Sequence, residues 1–337
     1  MDTELREPKQ ITATAEEERS PVFSPDGDSI LFVSDRDSRS EIYRATRGDK
    51  AKFWWQNEHF KIERLTNDGE QKTGLAWSPD GSHVAFIKGR GELCVMTPDG
   101  KTIQSILKSF TVPEFDWSPD GKWLVYSADD ADFNRDVFIV PIDSSKPPFN
   151  VSRHPRNDSN PVWSPDGKVI AFTGQRGDER DIFYVWLRNE DEEKASRDRS
   201  IEKAIEKMAK GRKVGDRDSD DAKTDTPRPR PEPRKPVVVS IDWNGLHDRI
   251  HRVSNPGVTE TGLFWSADSK KLLFSATIDG KSGIYSIEIP DDLKPKSFTT
   301  QSLSHARWLR RGNQVVGLAN GLPTSVGVDP LSGRPKA

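Results

Sequence analysis

The stretch WSPDG at residues 163–167, followed by VIAFTG at 169–174, decides the fold because the same phrase returns along the chain. Clear copies are FSPDG at 23–27 and WSPDG at 77–81, 117–121 and 163–167, and degraded copies are WSADS at 265–269 and WLRRG at 308–312. The aromatic residues that open these copies are 54, 40, 46, 102 and 43 residues apart. Self-similarity at such a period is the signature of a repeat architecture.

The chemistry of the phrase predicts a hairpin connection. Proline and aspartate suit the two central positions of a type I turn, and the glycine after them takes the left-handed conformation. Such a turn commonly joins antiparallel strands in a hairpin with a bulge. Apolar runs follow the phrase each time, and we expect strands at 29–34, 83–88, 123–128, 169–174 and 271–276.

Two further strands complete each unit. Third strands are expected to begin at Glu41, Glu92, Asp136, Asp181 and Gly283, and fourth strands to end at the pairs Leu65-Thr66, Val151-Ser152 and Val253-Ser254. Four short strands per unit of 40 to 50 residues are typical of a propeller blade. The sequence therefore predicts an all-β fold, a β-propeller of about six four-stranded blades. The repeated tryptophans should pack between blades, and the acidic residues should bind loops by hydrogen bonds.

The ends of the chain suggest how the ring closes. Ile11-Thr12 resembles the end of a fourth strand, and no fourth strand is predicted after Trp308. A strand near residues 10–14 is therefore expected to complete the last blade, which would remove an exposed sheet edge. If Ile11-Thr12 instead belongs to an upstream blade, a ring of seven follows.

The gap of 102 residues between two copies indicates one blade that carries an insert. Blades are predicted over residues 8–187 and 237–329, and the insert over 188–236. Its first half places Ile201, Ala204, Ile205 and Met208 at helical spacing, and its second half is rich in proline. The insert is either a docking arm or a tolerated surface insertion.

Composition limits the class of protein. The chain has 337 residues, a net charge of −3 and 31% charged residues, with ten tryptophans and fifteen phenylalanines to anchor a core. The weak acidic balance gives no reason to expect nucleic acid as a partner. No run approaches 18 apolar residues, so membrane insertion is not expected. Cys94 is the one cysteine, so an internal disulfide is excluded. The start of the chain lacks a signal-peptide pattern, which favours the cytoplasm, or the periplasm if the chain is truncated.

No complete active site is recognised in the sequence. A serine on a G-x-S-x-G elbow is absent, and a Ser-His-Asp triad has no nucleophile signature to support it. His247 and His251 are interpreted as strand residues on either side of Arg249, too far apart for one zinc ion. Residues 130–136 alternate like a calcium loop but lack its glycine, and they are interpreted as a polar hairpin tip. No catalytic residue, metal or cofactor is therefore predicted.

Longer stretches of the sequence indicate which class of propeller this chain resembles. FNVSRHPRNDSNPVWSPDGKVIAFTGQR at 149–176, DIFYVWL at 181–187 and SIDWNGLHDRIHRVS at 240–254 resemble the propeller region of bacterial tricorn-like serine proteases. The shorter repeat also resembles those of prolyl oligopeptidases and of the Tol-system periplasmic protein. The resemblance implies a non-catalytic propeller that gates or docks peptides for a separate protease region. The alternatives are a stand-alone scaffold propeller and an enzyme with its site in the channel.

Candidate binding residues are those that do not repeat, because a partner is recognised by loops rather than by the scaffold. They are Trp54, Trp55, His59, Arg153, His154, Arg156, Arg176 and Arg180. The tryptophan pair could clamp a peptide or cover the edge of the ring. The arginines could bind a peptide carboxylate or pair with local aspartates. The expected partners are peptides or unfolded protein, and a protease region in cis or in trans. The sequence is also compatible with an oligomer.

Overall fold

The computed structural model describes residues 9–37, 39–130, 132–177, 179–193, 205, 208, 237–253, 255, 257–309 and 314–328. Its strands form six antiparallel sheets that follow one another in sequence order. Five of these sheets have four strands, and the sixth has three in its described part. These sheets are the blades of a six-bladed β-propeller, which confirms the predicted fold class.

The first three blades contain twelve strands. Blade 1 comprises β1 (Glu18–Phe23), β2 (Ser29–Ser34), β3 (Glu41–Arg47) and β4 (Phe60–Arg64). Blade 2 comprises β5 (Lys72–Trp77), β6 (Val84–Lys88), β7 (Glu92–Met96) and β8 (Ile103–Lys108). Blade 3 comprises β9 (Glu114–Trp117), β10 (Trp123–Asp129), β11 (Arg135–Pro141) and β12 (Phe149–Asn150).

The last three blades follow the same order. Blade 4 comprises β13 (Asp158–Trp163), β14 (Val169–Arg176), β15 (Glu179–Trp186) and β16 (Ile250–Val253). Blade 5 comprises β17 (Thr261–Trp265), β18 (Lys271–Ile278), β19 (Lys281–Glu288) and β20 (Asp292–Thr299). Blade 6 comprises β21 (Ser304–Trp308), β22 (Gln314–Ala319) and β23 (Leu322–Gly327). Short helical turns lie at Trp54–Gln56, Asn189–Glu193 and Leu246–Arg249.

The repeated phrase forms the predicted turn between the first two strands of a blade. In the first copy the Gly27 N–H donates to the Ser24 carbonyl over 2.8 Å, and the φ of Gly27 is +76°. The Ser24 hydroxyl donates to the Asp26 carboxylate over 2.5 Å and accepts the Ser29 N–H over 3.0 Å. Hydrogen bonds within the phrase therefore stabilise the turn, and its serines have a structural role.

Packing between blades uses the repeated tryptophans as predicted. Buried apolar clusters join each blade to the next from blade 1 through blade 6. The Trp117 indole N–H donates to the Ala76 carbonyl of the preceding blade, and that of Trp265 donates to Val162. Phe23 holds the equivalent place in blade 1 but is 57% exposed. In the described part of the chain, no comparable cluster joins blade 6 to blade 1.

Acidic residues at the start of third strands hold the loops, also as predicted. Glu41 is fully buried and accepts hydrogen bonds from the Thr66 hydroxyl at 2.5 Å and the Gly69 N–H at 2.7 Å. It also forms a 2.8 Å ion pair with Lys72, which is equally buried and belongs to the next blade. Burial opposes ionisation of Glu41, but hydrogen bonds from Lys72 and Thr66 outweigh it, and the pKa of Glu41 lies below its usual value.

The N-terminal segment differs from its prediction. Residues 10–14 form no strand, and the Thr12 and Thr14 hydroxyls donate to the Glu18 carboxylate. Ile11 nevertheless packs on the apolar face of blade 1 that is turned away from blade 2. Val151, which follows the fourth strand of blade 3, packs on blade 4 in the same way. Pairing of this segment with blade 6 therefore stays a prediction.

The insert is held at its base by a buried arginine. Arg249 is 3% exposed, and its guanidinium donates to the carbonyls of Trp186, Leu187, Asn244 and Asp242. Residues 246–249 form a helical turn, so the interpretation of His247 and Arg249 as strand residues was wrong, whereas His251 lies on β16 (Ile250–Val253). Most of the predicted insert, including two of its four helical apolar positions, lies outside the described residues.

Candidate functional site

Strand order divides the propeller into two rims. The first, here named the turn rim, carries the SPDG turns and the connections from third to fourth strands. The second, the hairpin rim, carries the hairpins between second and third strands and the crossings to the next blade. Because strands alternate in direction, residues on different rims lie a strand length apart. The predicted candidates therefore cannot act as one site.

Three candidates lie on the turn rim of blade 1. Trp54 covers the edge of the blade, because its indole donates to the Gly27 carbonyl at 2.8 Å and its rings stack on Phe60 at 5.6 Å. Trp55 instead stacks on Phe53 at 4.6 Å, and both rings are largely exposed. The two alternatives for the pair thus apply to different residues: Trp54 covers the edge, and Trp55 presents a free face. His59 is exposed beside them.

The other five candidates lie on the hairpin rim of blades 3 and 4. Arg176 is occupied, because its guanidinium bonds to the buried Asp158 carboxylate at 2.8 Å and stacks over Phe183 at 4.3 Å. His154 lies beside the same ion pair. Burial and the charge of Arg176 lower the pKa of His154, so the ring is neutral near pH 7. These two residues therefore belong to the scaffold of the rim.

Arg153 and Arg156 project from the crossing between these blades. Arg153 lies over the Phe149 ring at 5.3 Å and bonds to the Asn150 carbonyl at 3.3 Å. Arg156 is exposed, and its backbone N–H donates to the His154 ring. Both side chains flank the rim, and neither lines the cavity beside it.

That cavity is an open polar pocket of about 330 Å³ between blades 3 and 4. Its lining residues are Glu114, Asp129, Phe133, Arg135, Asn157, Ser159, Asn160 and Arg180. Arg180 is half-buried, and no hydrogen bond or ion pair to its guanidinium is found among the described residues. It is the one predicted candidate that lines this pocket.

The other charged side chains of the pocket form ion pairs and hydrogen bonds with one another. Arg135 pairs with Asp129 at 2.7 Å and lies 3.9 Å from Glu114. The Glu114 carboxylate accepts the Asn160 N–H at 2.7 Å. Burial opposes ionisation of Asp129, but the hydrogen bonds from Arg135 and Thr111 outweigh it and lower the pKa of Asp129. The pocket therefore offers a ligand the free charge of Arg180.

Phe133 forms the lip of the pocket. Its ring is 76% exposed, and its backbone φ of +62° lies in a region that bulky residues rarely adopt. Strain of this kind clusters at functional sites. Sequence reasoning missed this phenylalanine, although an aromatic residue at the tip of a polar hairpin was a visible signal.

No group suited to a metal ion was found among the described residues. At the hairpin tip that resembles a calcium loop, the Asp130 carboxylate accepts the N–H groups of Asp132 and Asn134 at 2.8 and 2.9 Å. His251 contacts Glu192 at 2.8 Å, and His247 lies on the helical turn next to Asp248. These ranges contain no group of three or more histidine, cysteine or acidic residues arranged so that it could hold a metal ion. In the same ranges, no helix has the length and hydropathy needed to cross a bilayer.

Comparison with known proteins supports the fold assignment. Residues 1–132 match the family model described as TolB beta propeller domain. The uncharacterized peptidase YuxL of Bacillus subtilis is 27% identical over 154 residues, which is 45% of this chain and 21% of that protein. The chain spans less than two thirds of the length of the curated relatives it matches, between 16% and 58%.

Solved structures agree at the level of fold. The tricorn protease superposes with a TM-score of 0.61 at 11% identity, covering 92% of this chain and 29% of that chain. An oligogalacturonate lyase from Vibrio parahaemolyticus gives a TM-score of 0.60 at 14% identity, covering 97% and 79%. The resemblance to TolB and tricorn propellers is thereby confirmed, and the chain shares its fold with propellers of peptidases.

Proposed function

We propose that this propeller is a non-catalytic accessory unit that docks peptides or unfolded protein segments for a separate protease region. The pocket on the hairpin rim carries the proposal, because the Arg180 guanidinium, which has no partner among the described residues, lines it together with the amides of Asn157 and Asn160 and the exposed ring of Phe133. The likeness to peptidase-associated propellers supports a role in proteolysis.

The chemistry of the pocket favours a peptide that presents a carboxylate. A guanidinium binds a carboxylate through two parallel hydrogen bonds, which fixes the orientation of the ligand. Asn157 and Asn160 add amide groups that can hydrogen-bond a peptide backbone, and Phe133 adds an apolar contact. A peptide C-terminus or an acidic side chain fits this combination.

The pocket's carboxylates are poorly placed for acid-base catalysis. Glu114 and Asp129 are held by Arg135 and by hydrogen bonds from neighbouring groups. A general acid or base needs a proton-transfer site free to meet the substrate. This arrangement supports docking rather than turnover at the pocket.

A second candidate is a stand-alone scaffold that binds a folded protein partner. The match of residues 1–132 to the TolB propeller model favours it. The two functions differ in their ligand, because a scaffold recognises a folded surface and retains it, whereas a docking propeller binds short unfolded peptides. Binding of a short free peptide to the hairpin rim supports the first function.

Arg180→Glu tests the proposed site. We expect this variant to bind a short fluorescent peptide with a free C-terminal carboxylate about tenfold or more weakly than the wild type, because a charge-assisted hydrogen bond becomes a repulsion. Fluorescence anisotropy at low salt measures the affinity, and the same peptide with an amidated C-terminus should bind both proteins alike.

Arg90→Glu is the matched control. Arg90 is an exposed arginine in the hairpin of blade 2 on the same rim, and it does not line the pocket. Its replacement alters the net charge of the protein equally and should leave the affinity for the carboxylate peptide within about twofold. Equal losses in both variants would show general electrostatic attraction and would refute a site at Arg180.

A further inference from the structure

A second pocket lies on the hairpin rim between blades 5 and 6, with a volume of about 560 Å³. Its lining residues are Thr259, Thr261, Ser275, Ala276, Thr277, Ser282, Gly283, Ser302, Leu303, Ser304, Leu318, Asn320 and Gly321. Seven of these residues carry a hydroxyl group, one carries an amide, and none is charged or aromatic. Its chemistry therefore contrasts with that of the charged pocket between blades 3 and 4.

The two pockets occupy equivalent places in the repeat. Thr277 lies twelve residues after Trp265, as Asp129 lies twelve after Trp117. Each of them pairs across its hairpin with a second lining residue.

Those partners are Ser282 in one pocket and Arg135 in the other. The ion pair of the first pocket is thus replaced, position for position, by a pair of hydroxyl groups that lie 2.8 Å apart. Ser302 and Ser304 likewise stand where Asn157 and Ser159 stand before their own tryptophans.

The charge of Arg180 has no counterpart in the second pocket. In blade 4 the hairpin extends to a pair between Arg176 and Glu179, with Arg180 beside it. In blade 6 the hairpin closes earlier, at the two-residue turn of Asn320 and Gly321. Both of these turn residues have a positive φ, which fits the tight turns that join hairpin strands. The second pocket therefore lacks a counterpart of Arg180 because its hairpin is shorter, in addition to lacking charged side chains at the other lining positions.

The hydroxyl groups of this pocket differ in whether they already have hydrogen-bond partners. The Ser304 hydroxyl donates to the Leu318 carbonyl at 3.3 Å, and those of Thr277 and Ser282 bond to each other. Within the part of the chain that the structure describes, the hydroxyls of Thr261 and Ser275 have no protein hydrogen-bond partner. A hydroxyl can both donate and accept, so it suits a ligand that alternates donors and acceptors.

We propose that the hydroxyl-lined pocket between blades 5 and 6 is a second binding site on this rim and that it takes an uncharged peptide segment. A peptide main chain alternates N–H donors with C=O acceptors, as such a lining requires. A charged group would lose its hydration there without gaining a partner of opposite charge. The choice of a peptide as ligand rests on the proposed function, whereas the preference for an uncharged ligand rests on the lining itself.

The variant Thr277→Asp/Ser282→Arg tests the proposal by installing the ion pair of the sibling pocket. That pair already exists at the equivalent hairpin position, and both side chains replaced are exposed, so the fold should be retained. The probe is a short fluorescent peptide of alternating alanine and asparagine, acetylated at its N-terminus and amidated at its C-terminus. We expect its affinity, measured by anisotropy, to fall about tenfold.

Two further variants keep the result interpretable. Thr277→Val/Ser282→Ala removes both hydroxyls without adding charge and should weaken the neutral probe in the same direction. Arg90→Glu, on the same rim but outside both pockets, is the charge control and should leave the affinity for the neutral probe within about twofold. A thermal melt within about 2 °C of the wild type checks that each variant is folded.

Two results would overturn the inference. One is equal affinity of the neutral probe for wild type and Thr277→Asp/Ser282→Arg, and the other is no saturable binding of this probe to the wild type. Failure of the proposed function is separate, because it would appear as an unchanged affinity of the carboxylate peptide for Arg180→Glu. Either proposal can therefore fail while the other stands.

Discussion

Replacing Lys72 with methionine is expected to lower the free energy of unfolding by about 3–5 kcal/mol at pH 7. Lys72 and Glu41 are both fully buried, and their 2.8 Å ion pair joins blade 2 to blade 1. Removal of the ammonium leaves the carboxylates of Glu41 and Asp68 without their shared cation. Urea denaturation followed by tryptophan fluorescence measures the loss.

The double variant Glu41→Gln/Lys72→Met is the control. Replacing both charged partners of a buried pair by neutral groups is often close to neutral in stability, so most of the loss should be recovered. A loss below about 1 kcal/mol in Lys72→Met would match an exposed ion pair and would contradict the buried tie between the blades.

The equivalent position between blades 4 and 5 carries the opposite charge. Glu260 lies five residues before Trp265, as Lys72 lies five before Trp77. It is fully buried, and one of its carboxylate oxygens has no hydrogen-bond partner in the described ranges. Burial, with a further contribution from the charge of Asp181, raises the pKa of Glu260 from 4.5 to about 7.

Glu260→Gln is therefore expected to stabilise the protein in a pH-dependent way. Because the folded-state pKa is raised, the folded form retains a proton that the unfolded chain loses above about pH 4.5. Stability is therefore lost as the pH rises towards 7, by about 3 kcal/mol at about 1.4 kcal/mol per pKa unit. Glutamine removes this loss, so its advantage over wild type should be near zero at pH 4.5 and should level off above about pH 7.

Denaturation midpoints measured across this pH range test the expectation. Glu179→Gln is the matched control, because the charge of Glu179 also acts on Glu260 but its own side chain is 41% exposed. Its replacement should change stability by less than about 0.5 kcal/mol at every pH. An advantage of Glu260→Gln that does not vary with pH would show that Glu260 titrates normally.

The fold was readable from sequence because its determinants are local. The serine of each SPDG turn bonds to the aspartate two residues on, as Ser24 does to Asp26, and these contacts recur at every clear copy of the phrase. Cys94 lies in an apolar strand and is 1% exposed, and burial raises its thiol pKa to about 11. Local alternation and turn chemistry decide such features before any long-range contact forms.

The site was only partly readable because it is assembled from distant segments. Arg180 was selected as a residue that does not repeat, but its neighbours Glu114, Arg135 and Asn160 come from three other strand ends. Whether an arginine is free to bind a ligand depends on the partners that packing brings to it. Arg176 is paired with Asp158, whereas Arg180 has no partner among the residues that the structure describes. The separation of Trp55 from the arginines followed from strand order and could have been predicted.

The central claim is that peptides bind on the hairpin rim at the pocket between blades 3 and 4. Photo-crosslinking tests it most directly, with a short carboxylate peptide that carries a benzophenone group and is bound to the wild-type chain. The account predicts that the label is found by mass spectrometry around Phe133 and Arg180. Labelling concentrated at Phe53 and Trp55 on the turn rim, or spread evenly over the surface, would contradict it.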